Sequence, residues 1–271
     1  MHPNSCHAPI WPPTDGGYDY ILELNDSEVA WEFLRRNPDY QEDVLRYQAG
    51  LVRPRAMASG QKVWFDAQHT MAARRWGLSR FVDPALLARE APIDWIEELG
   101  AAKIDAVARA PCKGERSDVH LAELLCVSHI VVSSGDEEAL MINPSDKALT
   151  LRLRGTTALQ GPVCLTFQIA GIRALPYSGR SILGLPDMLT GRPRKFKRSR
   201  RQLLLREAVI ALDGRTAGAT YRDIAVVIAG AECARAAWRS SNHSLKDRMR
   251  RALKAGMRFR NGGYRTLIKQ K

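Results

Sequence analysis

The sequence predicts an α+β chain: a helical N-terminal domain, a small β-rich middle and a C-terminal variant (winged) helix-turn-helix. Three observations carry this. Helix caps stand before apolar stretches towards both ends, short β-branched or alternating runs crowd the middle, and the positive charge gathers in the last third.

The length of 271 residues suits one large domain or two to three small ones, and 45% hydrophobic residues suffice for ordinary cores. No run approaches ~18 consecutive apolar residues, so no membrane-spanning helix is expected. The first residues show no basic region leading into an apolar one, so no secretory leader is expected. The cysteines Cys6, Cys112, Cys126, Cys164 and Cys233 are odd in number and form no CxxC pair. Free thiols in a reducing, cytoplasmic setting follow.

Residues 1–17, rich in Pro and Gly, read as loose. Asn25 or Ser27 is placed to cap a helix carrying Val29, Ala30, Trp31, Phe33 and Leu34. Asn37-Pro38 stops it, because a residue before proline avoids the helical region. A second helix over 40–49 ends at Gly50. Residues 52–60 read as a loop. Asp83-Pro84 predicts a further helix start, with proline in the first turn. Trp31, Trp64, Trp76 and Trp95 read as core anchors.

The character changes over 120–168. Val127–Val132 is β-branched, residues 139–143 run apolar, and Leu149, Leu151 and Leu153 alternate with Thr150, Arg152 and Arg154, the pattern of a half-buried strand. Asn143-Pro144-Ser145-Asp146 reads as the turn between two strands, and Pro162–Ile169 as another strand or a helical turn. Asp136-Glu137-Glu138 reads as a solvated acidic turn. The expected domains are 18–105 (helical), 118–188 (β-rich), a basic linker 189–198, and 199–271.

Charge decides the class of partner. Residues 190–271 hold 22 basic and 5 acidic residues, a balance of +17, while the rest of the chain stands at −5 and the whole at +12. So concentrated an excess suits a polyphosphate. A solvated face or anionic lipid is the plainer alternative.

Three capping-box spacings follow the linker: Ser199 with Gln202, Thr220 with Asp223, Ser244 with Asp247. The first helix is expected to bury Leu203, Leu204, Ala208, Ile210 and Ala211, ending near Asp213-Gly214. The second buries Ile224, Ala225, Val227 and Ile228 and ends at Gly230. The third buries Leu245, Met249, Ala252 and Leu253, and its other face carries Lys246, Arg250 and Lys254, flanked by Arg248 and Arg251. Like charges at that spacing repel, and a nucleic acid offsets the cost. Residues 231–243 exceed a simple turn, so an extra helix over 231–238 is expected. Asn261-Gly262 predicts a hairpin. As a wing it would bring Arg258, Arg260 and Arg265 to DNA; the alternative is a hairpin that only closes the core.

No nucleotide-loop, zincin or nucleophile-elbow motif occurs. His2, Cys6 and His7 in a loose tail, and Cys126 with His129 on opposite strand faces, make no metal site. Neither catalysis nor a cofactor is expected.

Residues 18–40, with Ala30-Trp31-Glu32-Phe33-Leu34-Arg35-Arg36-Asn37-Pro38-Asp39-Tyr40, resemble the transcriptional-regulator-like N-terminal domain common in α-proteobacteria, and Trp76-Gly77-Leu78, Asp83-Pro84 and Trp95 continue that pattern. Residues 200–268 are similar to the DNA-binding domain of type VI secretion transcription factors, through Gly218-Ala219-Thr220-Tyr221-Arg222-Asp223-Ile224-Ala225, Leu245-Lys246-Asp247-Arg248 and Gly262-Gly263-Tyr264-Arg265. The same pair of domains occurs in excision activators of integrative and conjugative elements. The resemblance implies an oligomeric transcriptional activator of mobile-element or secretion genes, with double-stranded DNA, RNA polymerase or an antiactivator protein as partners and no membrane. The expected groove-facing residues are Lys246, Arg250, Arg251 and Lys254. The linker residues Arg194, Lys195, Lys197, Arg198, Arg200 and Arg201 are expected on phosphate. An accessory recombination or replication factor, and a protein-interaction module with a basic tail, stay open as alternatives.

Overall fold

The computed structural model describes residues 11–12, 17–47, 54–58, 60–65, 71–124, 126–133, 137–143, 148–172, 174–190, 199–239 and 243–268. In chain order these form α1 (Asp26–Leu34), α2 (Pro38–Tyr47), β1 (Arg55–Ala56), β2 (Lys62–Trp64), α3 (Met71–Arg74), β3 (Ala102–Arg109), β4 (Val127–Ser133), β5 (Glu137–Ile142), β6 (Leu149–Gly155) and β7 (Cys164–Gln168). Six further helices follow: α4 (Leu175–Thr190), α5 (Arg200–Thr216), α6 (Tyr221–Ala229), α7 (Ala231–Arg239), α8 (Ser244–Arg258) and α9 (Arg265–Ile268). The α+β class is as the sequence predicts. No helix among the described residues is long and apolar enough to cross a membrane.

The chain divides into two compact units, residues 1–41 with 196–267, and residues 42–195 with 268–271. The segment 18–105 therefore does not stay together. Its first helix packs with the C-terminal helices, while β2 and β3 enter the sheet.

The second unit is built on a mixed seven-stranded sheet in the order β1-β2-β4-β5-β6-β3-β7. β2 runs parallel to β4 and β3 to β6, and the other pairs are antiparallel. Leu149, Leu151 and Leu153 bury as their alternation demands, beside Ile104, Ile130 and Leu140, and Leu185 of α4 closes this core. Residues 164–168 settle as a strand. Trp64, Trp76 and Trp95 are buried, and Trp76 donates its indole N–H to Asp43 at 3.0 Å. Two expectations fail here. Asp83-Pro84 starts a turn and no helix, because the Asp83 carboxylate takes the Ala85 N–H at 2.8 Å and closes a short side-chain turn. Glu138 is not a solvated turn residue: it lies inside β5, 4% exposed, and accepts the Ala158 N–H at 2.9 Å and the Thr157 hydroxyl. Of the expected 143–146 turn, residues 144–146 lie outside the described residues.

In the first unit Asn25 caps α1 in a full capping box with Glu28. Asn37 ends it: its side-chain carbonyl takes the N–H groups of Asp39 and Tyr40 and so opens α2 at Pro38. α1 is buried on nearly every side, Trp31 and Phe33 included, because it lies among the helices of the C-terminal segment.

Candidate nucleic-acid interface

Four helices in succession, α5 to α8, share one core of Ala211, Ile224, Ala225, Ala234, Leu245, Met249 and Ala252. Two of the expected capping boxes, Ser199–Gln202 and Thr220–Asp223, are fully formed. The third is not. His243 precedes α8 without a side-chain cap, so Ser244 is already its first residue, and Asp247 turns to Arg250 at 3.3 Å. α5 runs on to Thr216, and Leu203 and Leu204 are exposed, 41% and 55%. Its burial starts at Leu205 and is almost unbroken from Glu207 to Gly214, since α1, α6 and α8 pack around it. α6 buries Ile224 and Ala225 fully, Val227 and Ile228 in part, and stops at Gly230, whose φ of 87° suits a glycine. The span after it contains the extra helix, α7.

α8 crosses α5 at a close approach. A Cβ built on Gly256 would stand 2.5 Å from the Ala208 carbonyl oxygen and 3.2 Å from Leu212 Cβ, so only glycine fits there. With Leu245, Met249, Ala252 and Gly256 inward, helical periodicity turns Arg250, Arg251, Lys254 and Arg258 outward, and all four are exposed. Lys246 sits at the edge of this face, with its ammonium 5.5 Å from the Trp238 ring of α7.

Arg248 stands apart from that group. It turns to the other edge and donates from Nε to the buried Glu207 of α5 at 3.0 Å, and this ion pair raises its pKa. It fastens α8 to α5.

The expected hairpin is absent. α8 continues through a turn at Phe259–Gly263 into α9. A two-residue hairpin turn of the Asn-Gly type needs positive φ at both residues. Asn261 keeps φ −87° and only Gly262 reaches 113°, which reverses a helix and makes no strand pair. Phe259 stacks on Phe33, ring centres 4.9 Å apart, and Tyr264 is fully buried, anchoring the turn. There is thus no wing. Arg258 lies over Phe259 and Arg265 over Tyr264, while Arg260 bonds Asn261 through Nε at 3.1 Å and accepts the Asn37 amide N–H on its carbonyl at 3.0 Å.

Of the linker residues, Arg194, Lys195, Lys197 and Arg198 lie outside the described residues. Arg200 is exposed at the start of α5, and exposed Arg201 pairs with Asp26.

Beneath this surface lies a charge network that sequence reading did not find. Arg36 donates from Nε and Nη2 to both oxygens of Asp213, at 2.7 and 2.9 Å, and from Nη1 to Glu32 at 2.6 Å. The Tyr18 hydroxyl donates to Asp213 at 2.8 Å, and Arg35 reaches Glu32 at 2.7 Å. Burial would raise the Glu32 carboxyl, but Arg36 and Arg35 outweigh it and hold it at about 2. Arg36 is pushed up, because the two carboxylates outweigh its desolvation. The network ties α1 to α5, the helix against which α8 is set. Partners 177 residues apart leave no local sequence signal. Exposed Arg235 and Arg239 of α7 were also passed over, although their four-residue spacing was readable.

A unit that is helical throughout its described elements, with its last long helix fixed by its apolar side and basic on the other, has the make-up of a helical DNA-binding domain. Residues 172–269 match the family model described as T6SS, Transcription factor, DNA binding domain, and residues 13–81 match that of the Proteobacterial transcriptional regulator-like domain. These are the two families that the motifs resemble. Together the matches support a DNA-binding transcription regulator. No curated protein matches the chain.

Proposed function

We propose that the chain is a sequence-specific DNA-binding transcriptional activator, in which α6, α7 and α8 act as a variant helix-turn-helix and α8 enters the major groove. The carrying observation is the outward face of α8. Arg251, Lys254 and Arg258 have no carboxylate partner among the described residues, and Arg250 has only the exposed Asp247. Arginine and lysine at such positions read guanine edges or grip phosphate. Arg258, Arg260 and Arg265 serve the phosphate backbone beside that helix, as do Arg200, Arg201 and the linker residues.

The family description names the T6SS, which supports secretion genes as targets; genes of a mobile element are the other targets of this reading. Recruitment of RNA polymerase, restraint by an antiactivator and assembly of several copies belong to the same reading.

The test has two parts. Fragments from the chain's own genomic neighbourhood are titrated with the full chain against random competitor DNA, and the bound fragment is placed before a reporter. Retention of one fragment in competitor, with a rise in reporter output, is expected. Equal loss on all fragments would overturn sequence specificity, and retention without a reporter response would point to an accessory DNA-binding factor.

A further inference from the structure

We infer that α7 supplies a second DNA contact, in which Arg235 and Arg239 hold the phosphate backbone beside the groove that α8 occupies; this rests on the DNA-binding reading above. Arg235, Trp238 and Arg239 share one side of α7, at spacings of three and four. Ala234 is buried in the core and Trp238, one turn on, is half-buried against the same core, which fixes the rotation of the helix and leaves Arg235 and Arg239, each one position further round, exposed. Trp238 locates that side. Its ring lies 5.5 Å from the Lys246 ammonium, and Lys246 stands one turn before Arg250 on α8. A continuous basic band thus runs from Arg239 and Arg235, past Trp238 and Lys246, to Arg250 and Lys254.

Little on the protein neutralises this band. Glu232 lies a turn before Arg235 but forms no ion pair with it among the described residues, and Asp247 is engaged by Arg250. Five like charges on adjacent faces repel, and the band gains most from a partner carrying a regular row of negative charge. Besides Arg235 and Arg239, the exposed residues of α7 are Ala231, Glu232, Cys233 and Ala236, none of them a large apolar side chain that would anchor a protein partner, and Trp238 is half-buried beside Lys246. Side chains on the flank of a groove-entering element meet phosphate before bases, so α7 holds the backbone while α8 reads.

The probe is a fluorescein-labelled duplex of random sequence, about 30 base pairs long, titrated with the full chain from about 50 to about 200 mM salt. Two variants are compared with wild type: Arg235→Ala with Arg239→Ala, and Arg235→Lys with Arg239→Lys. Circular dichroism and thermal melting check that these exposed substitutions leave the fold intact. Loss of two phosphate contacts lowers the log–log salt slope by about 2, so the wild type loses about tenfold more affinity than the alanine variant over that range. The lysine variant should keep the slope, and the alanine variant should weaken binding equally on any sequence. An unchanged slope and affinity in the alanine variant would overturn the assignment. A loss confined to one sequence would also overturn it, making these residues base readers. Failure of the wild type to bind any duplex would instead overturn the DNA-binding reading itself.

Discussion

Replacing Arg36 with methionine should destabilise the DNA-binding unit out of proportion to one side chain. The guanidinium is 9% exposed and serves two carboxylates, Glu32 and Asp213, themselves 0% and 3% exposed. Methionine keeps much of the volume and the apolar stem but removes the charge. Asp213 is left with the Tyr18 hydroxyl as its remaining side-chain donor among the described residues, and Glu32 with Arg35 and Tyr20. Breaking a buried pair while one charge stays buried costs about 3–5 kcal/mol. Against a typical total of about 5–15 kcal/mol, that is a large fraction of the unit's stability. The assay is urea unfolding of the full chain, with hydrogen exchange in α1 and α5 to place the loss. The double variant Arg36→Met with Asp213→Leu should recover part of it, since the orphaned carboxylate is gone. For scale, Arg46→Ala, which breaks an exposed pair with Glu42, should cost under about 1 kcal/mol. A cost for Arg36→Met no greater than that for Arg46→Ala would refute the view that this network holds α1 to α5.

Three further outcomes follow from the geometry. His129 of β4 accepts the Trp64 indole N–H on Nδ1 at 3.2 Å, and its Nε2 faces the Arg89 carbonyl at 3.2 Å; the neutral tautomer protonated on Nε2 satisfies both. Burial lowers its pKa to about 4, against the Arg89 bond and aided by Lys62, so the unfolded chain binds the proton more readily. Stability of the sheet unit should fall as pH drops from about 6.5 to about 4, by on the order of 3 kcal/mol, and His129→Gln should flatten that slope in pH-dependent urea melts; an equally steep slope in the variant would contradict it. Glu32, held at about 2, should stabilise the helical unit above its unfolded value near 4.5 and lose that contribution as pH falls towards 2; hydrogen exchange in α1 that stays constant over this range would contradict it. Gly256→Ala gains up to about 1 kcal/mol of helix propensity but drives a methyl into the Ala208 carbonyl, so a net loss of about 1–2 kcal/mol is expected, and a raised urea midpoint would refute the close crossing.

What could be read from the sequence was local. The caps at Asn25, Ser199 and Thr220 are three-residue patterns, and the strand around Leu149–Leu153 is a period-two pattern; both form where the residues dictate. Readings failed where a distant partner decides. Leu203 and Leu204 look like a buried face, yet the neighbours that bury α5 begin one residue further on. Asn261-Gly262 carries the chemistry of a hairpin, but Phe259 finds Phe33 and Tyr264 finds the core, so the same glycine turns one helix into another. Glu138 reads as surface until Thr157 and Ala158, on another part of the chain, supply its donors. The exposed basic face of α8, the candidate site, was legible in its charge and periodicity; the turning of Arg248 to Glu207 depends on α5 and was not.

The most direct measurement compares the wild-type chain with Arg250→Ala and with Lys254→Ala on a fragment it retains and on random duplex, at about 200 mM salt. If α8 reads the groove, at least one variant should lose about 1–3 kcal/mol on the retained fragment while binding random DNA nearly as before. If both variants keep the wild-type preference, or lose equally on both duplexes, the outward face of α8 is not the reading surface.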